Sequence, residues 1–157
     1  MKSLLPIVAI ALTTACAQNG SAGYRASSGV PVTSANQLQL NLPVTIAANT
    51  ARVFYQFGKQ VADINQFKRH CSLRVLSPKG ETQELVPDTI QVRKHELYRE
   101  PAITAYHTVR TKVYLLSDKN PDLIYMECID MFDYWSQMHT IGVGDVEDIF
   151  GDHLDVL

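Results

Sequence analysis

Very little in this sequence announces a chemistry. It contains no GxSxG elbow, no HExxH pair, no Walker loop and no GxGxxG fingerprint, so acyl-transfer, metalloprotease, phosphoryl-transfer and hydride chemistry have no local signature. Its five histidines, His70, His95, His107, His139 and His153, are scattered without an i, i+4 pair or a His-x-His spacing. Its three cysteines, Cys16, Cys71 and Cys128, include no CxxC and no Cys-His ligand spacing, which argues against a zinc ribbon or a redox dithiol. No basic run is interleaved with aromatics, so nucleic acid is not an expected partner. The apolar stretch Leu4 to Leu12 is nine residues long, well short of the about 20 that a helix needs to cross a roughly 30 Å hydrocarbon core. Two residual hints are set aside. Asp130 and Asp133 could be paired carboxylates but read as acids of a solvated loop, and His107 lies on an apolar strand face, where a satisfied core histidine is the simpler reading. No catalytic residue, metal ligand or cofactor is assigned.

What is present begins with the leader, MKSLLPIVAIALTTAC. Lys2 supplies a positive start, Leu4 to Leu12 an apolar core, and Thr13, Thr14 and Ala15 a small-residue approach to Cys16. This is the pattern of an export signal. Leu12-Thr13-Thr14-Ala15-Cys16 resembles a bacterial lipobox, with Thr13 filling the slot where a typical lipobox has Leu. The resemblance covers the leader alone. It implies a mature chain beginning at Cys16, carrying lipid, palmitate included, on its sulfur and its amine, and Ala17 resembles the outer-membrane sorting class. The expected location is the outer membrane, lipid-anchored and facing the periplasm. The competing site is Ala15-x-Ala17, a small-x-small pattern for ordinary signal peptidase, which would release a soluble periplasmic protein.

Residues 1–15 are therefore read as a signal peptide and 16–36, rich in Ser, Gly, Ala and Asn, as a flexible tether. Residues 37–157 are one domain's worth of chain with enough apolar content for a core. The net charge of −2 hides an asymmetry. From Cys16 to Ser117 twelve Lys or Arg face six Asp or Glu, a net of +6, whereas from Asp118 onward ten acids face Lys119 alone, a net of −9. The two halves are expected to pack together or to present different faces.

With Cys16 lipidated, Cys71 and Cys128 remain in an oxidising compartment, and pairing them is the default. Both sit in strand-like alternation, Cys71 with Leu73 and Val75, Cys128 with Met126 and Ile124. Further strands are read at 37–47, broken at Pro43, at 52–57, and in a bent run over 84–94 interrupted at Pro87-Asp88. The longest is Ile103 to Leu116, with Val109 to Leu115 and Leu123 to Ile129 forming a hairpin. Lys59 to Arg69 reads as a helical turn or an ordered loop, His139 to Val143 as a final strand, and Asp145 to Phe150 as a short helix opened by a capping Asp145. The fold class is all-β, an antiparallel β-sandwich or small barrel with a short C-terminal helix, the disulfide stapling one sheet to the other.

Met131, Phe132, Tyr134 and Trp135 cluster without strand alternation. Exposed, they would make an aromatic anchor patch for a partner; buried, they would plug one end of the sheet. The body resembles small export-targeted lipoproteins of Gram-negative bacteria that have no assigned activity. The expected function is a non-catalytic binding or assembly module that holds a membrane through its N-terminal lipid and meets an envelope protein partner; the alternative is a periplasmic hydrolase or metal-dependent enzyme.

Overall fold

The computed structural model describes residues 30–103, 106–133 and 140–157. Ten strands and one α-helix follow in order: β1 (Gln37–Leu40), β2 (Val44–Ile46), β3 (Arg52–Gln56), β4 (Lys59–Val61), β5 (His70–Val75), β6 (Gln83–Leu85), β7 (Asp88–Ile103), β8 (Tyr106–Leu116), β9 (Leu123–Asp133), α1 (Val143–Phe150) and β10 (Leu154–Val156). Eight of them form one antiparallel sheet in the order β10-β1-β7-β8-β9-β5-β3-β4, and β2 pairs with β6 in a separate ribbon. The sheet curls into a half-barrel whose two ends are bridged by α1, which packs on β10 at one side and on β3, β4 and β5 at the other. The all-β antiparallel architecture with a short C-terminal helix is thus the one the sequence predicts.

Period-2 patterning explains most of the sheet. Val109, Thr111, Val113 and Leu115 are buried along β8, and Leu123, Met126 and Cys128 along β9, while Arg110, Lys112, Tyr114 and Tyr125 point the other way. The core lies between the inner face of the sheet, the ribbon, and α1 with Val146, Ile149 and Phe150.

Several details differ from the sequence reading, each for a physical reason. The run 37–47 is two strands in two sheets. Pro43, which cannot donate to a ladder, stands where the chain leaves β1 for the ribbon. Lys59–Arg69 opens as strand β4, because Phe57 (φ 58°) and Gly58 (φ 78°) make a tight turn of positive φ that pairs Gln56 with Lys59. Residues 130–133, read as leaving the strand pattern, continue β9 opposite Tyr106 to Val109. The final strand expected at His139–Val143 reduces, among the described residues, to a single bridge between Gly142 and Pro31, with the helix starting at Val143. Asp145 is not the cap itself: it sits one turn in, and its carboxylate accepts the Gly142 N–H at 2.9 Å, the returning half of a capping box. The body also begins earlier than Gln37. Val32 and Ala35, assigned to the tether, are buried, and Val32 N–H reaches the Ile141 carbonyl at 3.0 Å.

Cys71 and Cys128 are joined, as the cysteine count predicts. The bridge does not connect two sheets. It links neighbouring strands β5 and β9 of the same sheet, where the two residues are directly opposite.

The helix is held by a close approach of two glycines. Gly58 N–H donates to the Ile149 carbonyl at 3.1 Å, and a Cβ added at Gly151 (φ 59°, ψ −136°) would lie 2.5 Å from the Gly58 carbonyl oxygen. Only glycine tolerates both that backbone region and that distance. Gly151→Ala is expected to lower stability by about 2 kcal/mol in urea denaturation, whereas alanine at exposed Gly144, where nothing lies within 4 Å, should be neutral or stabilising.

Tyr55 is fully buried against Phe150 and His153, with ring centroids at 4.5 and 5.1 Å, and its hydroxyl has no hydrogen-bond partner. Burial pushes its pKa up to about 12. The unfolded phenol ionises near 10, so the folded state keeps its proton longer and stability falls as pH rises between those two values. Tyr55→Phe removes an unsatisfied polar atom without opening a cavity. It is expected to raise stability by about 1 kcal/mol at neutral pH and to shrink the alkaline loss, which denaturation curves at pH 7 and pH 11 would measure.

Candidate binding face

The inner face of the sheet is filled; the outer face across β7, β8, β9, β5 and β3 carries the chemistry. Strand register brings together residues far apart in sequence. One row runs Lys94, Tyr114, Tyr125, Arg74 and Arg52; the next runs Glu96, Lys112, Glu127, Ser72 and Phe54. Tyr98 and Arg110 pair in the row below.

Glu127 is the centre of this array. Its side chain is 5% exposed, and three cations surround it: Arg52 Nη2 at 3.5 Å, Arg110 Nε at 3.8 Å and Lys112 Nζ at 3.8 Å. A buried carboxylate is tolerated only when compensated, and here the compensation exceeds one charge. The rings complete the surface. Lys112 Nζ lies 4.7 Å from the Tyr125 centroid and 5.7 Å from that of Tyr98, Lys94 is 5.6 Å over Tyr114, Arg74 is 6.0 Å over Tyr125, and Arg52 is 5.8 Å over Phe54. Arg52 Nη2 also donates to the Tyr125 hydroxyl at 3.3 Å.

Glu96 forms a second node. Its carboxylate accepts from Lys94 Nζ at 2.5 Å, from the Tyr98 hydroxyl at 2.5 Å and from the Tyr114 hydroxyl at 2.9 Å. These donors, Lys94 first, hold its pKa down to about 2, and accepting from Tyr98 pushes that phenol up to about 12. Because the folded pKa is depressed, the node stabilises the fold above the usual carboxylate range and the effect is lost as pH falls toward 2. An NMR carboxyl titration is expected to find Glu96 still ionised at pH 3, and Tyr98→Phe together with Tyr114→Phe should return its midpoint toward 4.

Counting Arg52, Arg74, Lys94, Arg110 and Lys112 against Glu96, Glu100 and Glu127, the face carries a net of +2 and four rings, Phe54, Tyr98, Tyr114 and Tyr125. Glu127 apart, the acids near the C-terminal end lie elsewhere. Asp145, Glu147 and Asp148 lie on α1, Asp152 in the turn that follows it and Asp155 on β10. The charge asymmetry along the sequence therefore becomes two different surfaces. The halves meet at Glu127 and again at Arg69, which binds Asp130 on β9 (Nε to Oδ2, 2.7 Å) and Asp145 on α1.

Of the residues singled out in the sequence, Cys71 and Cys128 are brought together, and Cys16 lies outside the described residues. Met131 is half-buried on β9 and Phe132 follows it in the same strand, whereas Tyr134 and Trp135 lie outside the described residues. His107 is half-buried on the inner side of β8, away from the basic face. Among the described residues no group of three or more His, Cys, Asp or Glu is placed to hold a metal ion, and no helix is long and apolar enough to cross a membrane. The basic face had a sequence signal on β8, where Arg110, Lys112 and Tyr114 alternate with buried residues; along β7 the neighbours of Lys94, Glu96 and Tyr98 are themselves exposed or half-buried, so no such period marks them.

The fold and face define a class of protein, a disulfide-bridged antiparallel half-barrel with one open cationic and aromatic sheet surface. No family model, no curated protein and no solved structure matches the chain.

Proposed function

We propose that this protein is a lipid-tethered, non-catalytic binding module of the Gram-negative cell envelope, anchored through Cys16 to the outer membrane and facing the periplasm, whose open sheet face receives an anionic envelope partner. The observation that carries the binding role is the array around Glu127, where five cations and four rings share one solvated side of a rigid sheet. Rings and guanidinium groups offer large contact area at low entropic cost, and the cations supply steering toward negative charge. The lipobox-like leader supports the anchor, and a disulfide between Cys71 and Cys128 suits a compartment where such bonds persist.

The anchor is tested by intact mass of the native product: a chain starting at Cys16 with diacylglyceryl and acyl mass is expected. A start at Met1 overturns the export reading, and a start at Gln18 replaces the anchor with a soluble periplasmic protein. The binding role is tested in intact cells with a photo-crosslinking residue at Arg74 or, as control, at Glu84 on β6. A discrete adduct at Arg74 alone, lost with Arg110→Glu plus Lys112→Glu, is expected; equal labelling at both sites, or none at Arg74, would sink it.

A further inference from the structure

The outer half of β7 is a sheet edge. β1 covers β7 only over Asp88–Gln91, with one further bond from Val92 N–H to the Asn36 carbonyl at 2.9 Å, whereas β8 continues along its other side to Ile103. Among the described residues nothing pairs with the outward side of β7 from 93 to 101.

Two observations fix which backbone groups point outward. The Cα atoms of Cys71 and Cys128 are 4.0 Å apart, the close spacing of a pair that does not exchange backbone bonds. Cys128 therefore turns its N–H and C=O toward Thr111 on β8, Thr111 turns away from its β7 neighbour Leu97, and Leu97 faces outward. Alternation gives the same orientation to His95 and Arg99. Independently, Val92 donates outward to Asn36, and the register irregularity between Val92 and Lys94 shifts the phase by one residue, which again leaves the odd-numbered residues outward.

A long open edge ordinarily carries charges that repel a second strand. Here the charges favour one. Laid antiparallel on itself about Leu97, the segment RKHELYREP sets Lys94 opposite Glu100, Glu96 opposite Tyr98, His95 opposite Arg99 and Leu97 opposite Leu97. Every outward-turned residue then meets an outward-turned one. A slip by one residue breaks that parity. A slip by two in one direction sets Glu96 against Glu96 and Arg93 against Arg99; in the other it sets Glu96 against Glu100. Slips by four keep the parity but pair only 93–97 or 97–101, so the register about Leu97 is the one that uses the whole open edge without setting like charges opposite.

We propose that β7 pairs antiparallel with the β7 of a second copy, Leu97 against Leu97, in an isologous two-fold dimer. The two sheets become continuous, and their cationic faces lie side by side with the two Tyr98 rings flanking the axis. This pairing depends on the edge alone and not on what the face binds.

The test uses the purified full-length chain in detergent. Sedimentation is expected to show a concentration-dependent dimer. Leu97→Pro removes an N–H that points away from β8, so the monomer keeps its ladder and its thermal transition while the dimer Kd rises at least about tenfold. Lys94→Glu weakens the dimer, and Lys94→Glu with Glu100→Lys restores it. Register is read with a short bismaleimide, the parent chain serving as the control for native thiols. Leu97→Cys links to itself, His95→Cys and Arg99→Cys link when mixed but poorly alone, and Glu84→Cys does not link. A chain that stays monomeric at all concentrations, a dimer indifferent to Leu97→Pro and to Lys94→Glu, or linkage as strong at Glu84→Cys as at Leu97→Cys overturns the proposal.

Discussion

Replacing Cys71 and Cys128 together by alanine is expected to lower stability by about 4 kcal/mol, the chain-entropy value for a closed loop of this length. The sequence separation is 57 residues, so the crosslink removes a large share of the unfolded chain's freedom. The bridge joins residues that β-pairing already holds opposite each other, so the native sheet needs no help to place them; its effect is exerted on the denatured ensemble. Two outcomes distinguish this from a packing role. The double alanine variant should show a lower urea midpoint and a steeper slope than the oxidised protein, because its unfolded chain is freer to expand, and reduction of the native protein should reproduce most of the loss. A difference under about 1 kcal/mol would show that the unfolded chain is already compact around this pair.

Arg69→Met is expected to cost about 3 kcal/mol, at the low end for breaking a buried ion pair because its side chain keeps some exposure. The guanidinium is shared between Asp130 on β9 and Asp145 on α1, both largely buried, and Asp145 also accepts the Gly142 N–H at the helix start. Removing the cation leaves two carboxylates facing each other's field across the seam between sheet and helix. Amide exchange should rise first in α1 and β10, while β7 and β8 stay protected. Adding Asp130→Asn and Asp145→Asn should recover part of the loss by removing the charges that Arg69 neutralised. Arg74→Met, on the exposed face, is the control and should change stability by less than about 0.5 kcal/mol.

The β8–β9 hairpin was legible because each of its strands buries one side: Val109, Thr111, Val113 and Leu115 alternate cleanly with Arg110, Lys112 and Tyr114. The outer half of β7 was not, since HELYREP has polar groups on both faces and so lacks the apolar period that marks a half-buried strand. Phe57 misled the reading of Lys59–Val61: a bulky residue at φ 58° is a rare turn former, so the two-residue loop before β4 carried only Gly58 as a signal. The pairing of Cys71 with Cys128 followed from counting, but whether it crossed between sheets depended on strand order, which local pattern does not encode. The basic face was visible on β8, where Arg110, Lys112 and Tyr114 share one side. Its assembly around Glu127 was not, because the array joins β3, β5, β7, β8 and β9 through register alone.

The pairing of β1 with β10 sets the order in which this molecule can come into being. Leu38, Leu40 and Gln39 meet Val156, Leu154 and Asp155, so one of the earliest strands to emerge waits for nearly the last. A polypeptide delivered head first, from a ribosome or through a narrow pore, cannot finish its half-barrel until β10 arrives. Contacts of such separation are slow to form. The β1–β10 seam is thus the last pairing of the sheet able to close during delivery.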